Sequence, residues 1–358
     1  MNREAQQVSP RSRPRSGPPR VHALAAAWAA LATLLAPAAP SSAQSRTGTT
    51  LGQFLLIEPS ARLTAIGNAG VAVDVGLEGA YYNPAAAGRL TRLEFQLAHV
   101  DWLAGIRYDY VAAAVPLGGW GTGLATVSSL NSGEIDVRTV NQPLGTGERY
   151  TVSDVAIGLG FARAISDRFT AGLNVKYFQE TVWHTSAGNV TFDVGTVYRI
   201  RPDGLHIGSS ITNFGTGARF SGRDLRITYD QDPSRFGDNG SLPGLRFVQD
   251  YAVPVLFRVG VGYPWRPAPD WRVWFSAEAH HPNSNPESVN GGVEATFRDL
   301  VSLRAGYQTL FDQDSEEGLA LGTGFHQRLE SFEYRVDYAW AAHGRLGDVH
   351  RLSVGLLY

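Results

Sequence analysis

The chain of 358 residues contains no cysteine, one methionine and a single lysine, Lys176. Disulfides and thiolate metal sites are therefore excluded, and a chain without thiols suits export into an oxidising compartment. Beyond residue 43 no apolar run is long enough for a membrane-spanning helix. If the chain enters a membrane, it does so as strands closed into a barrel. Charge is sparse as well: 18% of residues are Asp, Glu, Lys or Arg, 31 of them basic and 33 acidic. Residues 1–43 hold Arg3, Arg11, Arg13, Arg15, Arg20 and Glu4, and their removal leaves 26 basic and 32 acidic residues, a net charge of −6. That balance argues against a nucleic-acid partner.

What the chain has in quantity is glycine and rings: 40 Gly, 16 Phe and 14 Tyr. This is an ordered composition that favours strands. The arginines of residues 1–20, the run "ALAAAWAALATLLA" and the exit "APAAPSSAQS" read as a signal peptide cleaved before Gln44, with Ser41 and Ala43 at the small positions. An amino-terminal membrane anchor is the alternative, disfavoured by the shortness of the run and by Pro37 and Pro40.

From about residue 91 the sequence repeats one unit: ten or so alternating residues, then a break. Fourteen candidate strands result, within 91–100, 106–116, 120–130, 152–164, 168–183, 189–200, 204–214, 251–263, 271–281, 288–298, 300–311, 318–328, 331–341 and 349–358. In "SFEYRVDYAW", Phe332, Tyr334, Val336, Tyr338 and Trp340 share one face, with rings at both ends and an aliphatic between them. Lipid interfaces select that order, so this face is expected outward and Glu333, Arg335 and Asp337 toward a lumen. Arg258, Glu278, Glu294 and Arg304 fall on similar glycine-bearing faces and complete the candidate lumen charges. The even-numbered connections are short and the odd ones include the two longest, as expected of a barrel with both termini periplasmic. The terminal Tyr358 closes the last strand in the manner of an insertion signal. Predicted, then, is an all-β, fourteen-stranded antiparallel transmembrane β-barrel over 91–358, in the outer membrane of a Gram-negative-type bacterium, with lipid and the barrel-insertion machinery as partners.

Residues 44–90 do not alternate and are too apolar for a loose tail. They are expected to form a hatch inside the barrel, the alternative being a periplasmic extension beneath it. In "NPAAAG", Asn83 can cap a helix, Pro84 suits its first turn, Ala85 and its neighbours extend it, and Gly88 can take a left-handed stop. The stretch "FLLIEPSARLTAIGNAGVAVDVGLEGAYYNPAAAGRL", with Ala61-Arg62, the Gly67–Ala69 turn and the motif Asn83, Pro84, Ala85, resembles the amino-terminal signature of the PorV/PorQ family, which is related to FadL-like channels. Ile66 and Tyr82 stand where that family often has methionine and tryptophan.

The resemblance implies one of two activities. The first is service in a type IX secretion system, receiving cargo through its carboxyl-terminal sorting domain. The alternative is a hatch-gated channel for hydrophobic small molecules. The loop 215–250 supplies a candidate partner-binding surface, Phe220, Leu225, Ile227, Tyr229 and Phe236, in which "DLRITYD" reads as a short strand open to β-addition. No enzyme is expected: Ser276 or Ser288 with His280 or His281, and His99 with Asp101, have no recognisable catalytic spacing. Adjacent His280 and His281 point to opposite faces, so no metal site and no cofactor are expected. A soluble β-propeller would repeat every forty or so residues, and no such repeat is present.

Overall fold

The computed structural model describes residues 48 to 358 apart from 74, 202, 233, 235, 236, 238, 239 and 313. The leader expected over 1–43 lies outside the described residues. From Glu94 onward the alternating segments form barrel strands β1 Glu94–Asp101, β2 Arg107–Pro116, β3 Thr122–Asp136, β4 Arg149–Ala164, β5 Phe169–Val182, β6 Thr185–Arg199, β7 His206–Phe214, β8 Leu256–Ala268, β9 Trp271–Pro282, β10 Ser288–Phe297, β11 Val301–Leu310, β12 Leu319–Arg328, β13 Glu333–Ala342 and β14 Asp348–Leu357. Each pairs antiparallel with its sequence neighbour, and β14 returns to β1 from Glu94↔Leu357 to Asp101↔His350. The result is a closed fourteen-stranded antiparallel barrel, which leaves no open sheet edge to satisfy in lipid.

Side chains alternate between the two surfaces. Leu97, Ile157, Leu159, Val194, Val261 and Leu303 are exposed on the outside and form an aliphatic belt. Trp120, Trp265, Trp271, Phe297 and Tyr198 supply exposed rings near one rim. That pattern is the outer surface of a lipid-embedded barrel. In β13, Tyr338 is exposed while Glu333 and Asp337 are buried, and Phe332 stacks on Tyr358 with ring centroids 5.9 Å apart.

The connections 117–121, 165–168, 200–205, 269–270, 298–300 and 329–332 lie at one end, here the turn end. The opposite loop end carries 137–148 and 215–255. Two boundaries differ from the sequence pattern. β8 starts at Leu256, not Tyr251, because Tyr251 and Ala252 bridge to Ala218 and Thr50, Val253 is buried, and Pro254 has no N–H to offer a ladder. The same strand runs on to Ala268 through an irregularity after Trp265, which shrinks the turn expected over 264–270 to two residues.

Residues 51–90 thread the lumen from end to end. Leu51 N donates to Ala252 O at 2.8 Å at the loop end, and Arg89 Nη2 donates to Ser166 O and Asp167 O, both at 2.8 Å, at the turn end. Between these points the segment makes four single-turn helices, Gln53–Leu56, Ala61–Thr64, Gly76–Gly79 and Pro84–Ala87. Leu63, Ile66, Val73 and Tyr82 form its own buried cluster. The wall admits this thread through glycines on its inner face: at Gly172, Gly195, Gly208 and Gly306 a Cβ would overlap Pro84 and Ala85, Asn83, Val71, or Ile66 and Gly67. At Gly172, Gly208 and Gly306 backbone lies against backbone, at Gly195 against the Asn83 side chain, and the fit requires residues without side chains.

Candidate functional site

Asn83, Pro84 and Ala85 sit where the plug meets β5 and β6. The Asn83 carbonyl oxygen accepts from Ala85 N at 3.0 Å, and its amide donates to Val71 O at 2.8 Å and to Thr196 O at 2.9 Å. One side chain thus caps a helix, ties two plug segments together and docks both to the wall. The turn that follows is a 3-10 helix, and Gly88 ends it with φ −72, so the left-handed stop expected there does not occur. Gly88 is needed for room instead, since a Cβ would overlap the Thr170 methyl group.

The lumen charges divide into groups stacked along the barrel. Nearest the loop end, Arg258 reaches Glu58 of the plug at 2.9 Å and lies 3.4 Å from Glu278, which also bonds His280 at 2.8 Å. Deeper, Arg62 holds Glu294 at 2.7 Å and Glu78 at 3.2 Å, while Arg304 bridges Glu294 at 2.5 Å and Asp337 at 2.6 Å. Arg335 joins Glu78 at 3.0 Å and lies 3.5 Å from Glu94. At the turn end Glu333 binds Arg92, Arg328 and His326. Plug residues Glu58, Arg62 and Glu78 are the partners that the sequence reading missed. The available signal was their isolation in an apolar, Ala- and Gly-rich stretch, because a charge buried there requires an opposite charge. Lys176, the single lysine, pairs with Asp193 at 2.9 Å beneath the buried ring of Phe178.

Above the plug, at the loop end, lies a cavity of about 410 Å³. Phe54, Ile57, Trp102, Ile106 and Leu130 give it apolar walls, with Asp154, Glu180, Gln308 and Arg351 among them. A second hollow of about 240 Å³ shares Leu56, Glu58, Asn68, Asn285, Gln308 and Glu317 with it. His343, at the rim, packs edge-on against Trp102, with centroids 5.4 Å apart, and burial holds its pKa below the usual imidazole value. Glu316 clasps Arg345 across two loops, Nε to Oε1 at 2.6 Å, and this hydrogen bond lowers the Glu316 pKa. Deeper, beside Tyr81, Tyr110 and Lys176, lies a void of about 20 Å³.

The long loop does not present an unpaired strand. Arg226–Tyr229, including Ile227, pairs with Leu242–Leu245 in a hairpin of its own, and Phe220 packs partly onto the plug core. Leu225 is half-buried and Tyr229 exposed, while Phe236 lies outside the described residues. Ser276 Oγ makes no hydrogen bond among the described residues, and His280 and His281 bond Glu278 and Glu287, so no serine–histidine relay forms. Among the described residues no group of three ligating side chains could hold a metal.

No protein-family model matches the chain, and no curated protein sequence matches it. Solved structures do. The monoaromatic hydrocarbon channel CymD aligns with TM-score 0.50 at 11% identity, covering 84% of this chain and 97% of its own. The toluene transporter TodX of Pseudomonas putida gives 0.50 at 13% identity, with the same coverages of 84% and 97%. The deltaS2S3 mutant of TodX gives 0.52 at 13% identity, with 83% and 98% covered. The chain shares the fold of these solved barrels, a closed fourteen-stranded antiparallel barrel. At such identities the likeness is one of fold, and what the barrel carries is a separate question.

Proposed function

We propose that the chain is a bacterial outer-membrane channel for hydrophobic small molecules, with residues 51–90 as its hatch and the longer loops facing outward. The observation that carries this reading is the cavity of about 410 Å³ seated on the hatch at the loop end, where Phe54, Leu56, Ile57, Trp102, Ile106 and Leu130 share the lining with polar and charged side chains. Its volume lies in the range that encloses small organic ligands. Residues 51–90 fill the lumen beneath it, so passage through the barrel is proposed to require the hatch to shift. The shared fold supports the reading, since the solved barrels it matches are described as channels or transporters of toluene and monoaromatic hydrocarbons. Tyr358, stacked on Phe332 at the turn end, is proposed as the insertion signal.

This reverses the order suggested by the amino-terminal resemblance, which puts type IX secretion first. The strand that favoured a cargo partner is occupied along one edge by its own hairpin. Deleting the gene tests both readings in one strain. The channel reading expects slower uptake of a labelled monoaromatic at low concentration, restored by the intact gene, with an unchanged exported protein set. Unchanged uptake together with periplasmic retention of proteins that share a carboxyl-terminal domain would return the secretion reading to first place.

A further inference from the structure

Asp154 of β4 and Glu180 of β5 stand directly opposite each other in the strand register, and both line the 410 Å³ cavity. Two carboxylates at such a cross-strand position repel unless a cation or a retained proton offsets one charge. Among the described residues neither carboxylate is in an ion pair. Glu180 Oε2 accepts from Gly52 N at 2.9 Å, while Asp154, only 6% exposed, leaves Oδ1 without a hydrogen bond. Of the cations nearby, Lys176 is paired elsewhere, whereas Arg351 lines the same cavity with its Nη1 making no hydrogen bond among the described residues. Lys176 lies below, screened by the edge-to-face pair Phe54 and Phe178 (6.4 Å) and bound to Asp193. Arg351 belongs to β14, four strand steps around the wall from β4, roughly 19 Å of arc at the usual strand spacing. Its Nε donates to Glu58 O at 3.1 Å, and its guanidinium lies 5.3 Å from the Trp102 ring centre.

We propose that this carboxylate pair is the binding site for the ammonium group of a small hydrophobic amine, whose apolar body rests on Phe54, Leu130 and Ile106. The inference rests on the channel reading and narrows its substrate class from hydrophobic molecules in general to those bearing one positive charge. The two parts of the cavity supply what such a ligand needs. The carboxylates neutralise a cation that an apolar pocket alone would refuse, and the aromatic and aliphatic wall takes a body of one ring. A neutral isostere would leave the carboxylate pair without a counter-charge, so the site selects by charge at equal shape.

The test compares benzylammonium with benzyl alcohol at neutral pH, using the full chain in detergent and reading binding by calorimetry. The expected result is an ammonium affinity roughly tenfold or more above that of the alcohol. Asp154→Asn combined with Glu180→Gln should abolish that preference, read as the ratio of the two affinities within the variant. Equal affinities in the wild-type chain, or a preference that survives the double substitution, would overturn the proposal. The wild-type comparison stands even if the variant fails to fold. Flux into proteoliposomes separates the two layers of the argument: neutral aromatics that cross with no ammonium preference in binding remove this site and leave the channel. Ammonium binding with no flux of any aromatic leaves the site and removes the channel.

Discussion

Arg62 of the plug and Glu294 of the wall meet through two parallel charge-assisted hydrogen bonds, Nε to Oε2 at 2.8 Å and Nη2 to Oε1 at 2.7 Å. Arg304 shares the same carboxylate from the neighbouring strand, and Glu78 takes the remaining reach of Arg62. The hatch is therefore fastened by charge at mid-lumen, where little water is present to compete. Such a fork is specific to arginine, because a lysine cannot make both contacts in one plane.

Removing Arg62 weakens this network without stranding its partners. Arg62→Ala leaves Glu294 to Arg304 and Glu78 to Arg335, so the cost is expected below the roughly 3–5 kcal/mol of a fully orphaned buried charge. The expected outcome is a lower unfolding temperature and a rise in single-channel conductance in planar bilayers, as the hatch loosens. Arg62→Lys should fall between the wild type and Arg62→Ala in both measurements.

The glycine contacts make a steric prediction independent of charge. Gly195→Ala sets a methyl group against the Asn83 side chain, whereas Gly119, in a turn, has nothing within 4 Å of an added Cβ. Gly195→Ala should therefore raise the protease sensitivity of residues 51–90 in the folded barrel. Gly119→Ala should match the wild type in the same digest.

At the mouth, pH enters through Glu316. Its pKa is depressed by the hydrogen bond from Arg345, so the stabilisation from this pair is present above the ordinary glutamate pKa and is lost as pH falls through the depressed value. Carboxyl NMR of the folded chain should show Glu316 titrating below the ordinary glutamate range. Arg345→Ala should return it to that range.

On the outside, Leu303 is 63% exposed within the aliphatic belt of β11. Leu303 lies two residues from the row of Trp271 and Phe297, so Leu303→Arg should destabilise the bilayer-inserted barrel by less than the roughly 2–4 kcal/mol of a basic side chain at the midplane, on the order of 1–2 kcal/mol. Folding titrations in lipid vesicles measure this directly. The same substitution at Leu144, an exposed residue of the 137–148 loop, should have little effect.

These relationships differ in how far the sequence exposed them. Strand count and facing were legible because period-2 alternation is local: Glu333 and Asp337 can be assigned to one face without knowing any partner. The Asn83 cap was legible for the same reason. The fastening of Arg62 to Glu294 was not, since the two are 232 positions apart and only the closed barrel brings them together. A ring-bearing face is not by itself a lipid face, as Tyr108 and Tyr110 show. Both are buried on the inner face of β2, where Tyr81 of the plug meets Tyr110 edge-on at 5.6 Å. Whether a ring face turns outward depends on what fills the lumen, and that filling comes from another part of the chain. The start of β8 was misplaced because Tyr251 and Val253 continue its alternation while serving the plug core instead.

The central claim is that hydrophobic molecules pass through this lumen when the hatch moves, and the absence of native cysteine allows it to be tested with one engineered bond. Ala65 of the plug and Ala339 of β13 share a buried cluster, so Ala65→Cys with Ala339→Cys places the only two thiols of the chain side by side. The decisive measurement is the flux of labelled toluene into proteoliposomes bearing this variant, oxidised and then reduced. Oxidation is expected to suppress flux, and reduction to restore it to the wild-type rate. Equal flux in both states, with the disulfide confirmed by mass spectrometry, would contradict a gate formed by the hatch.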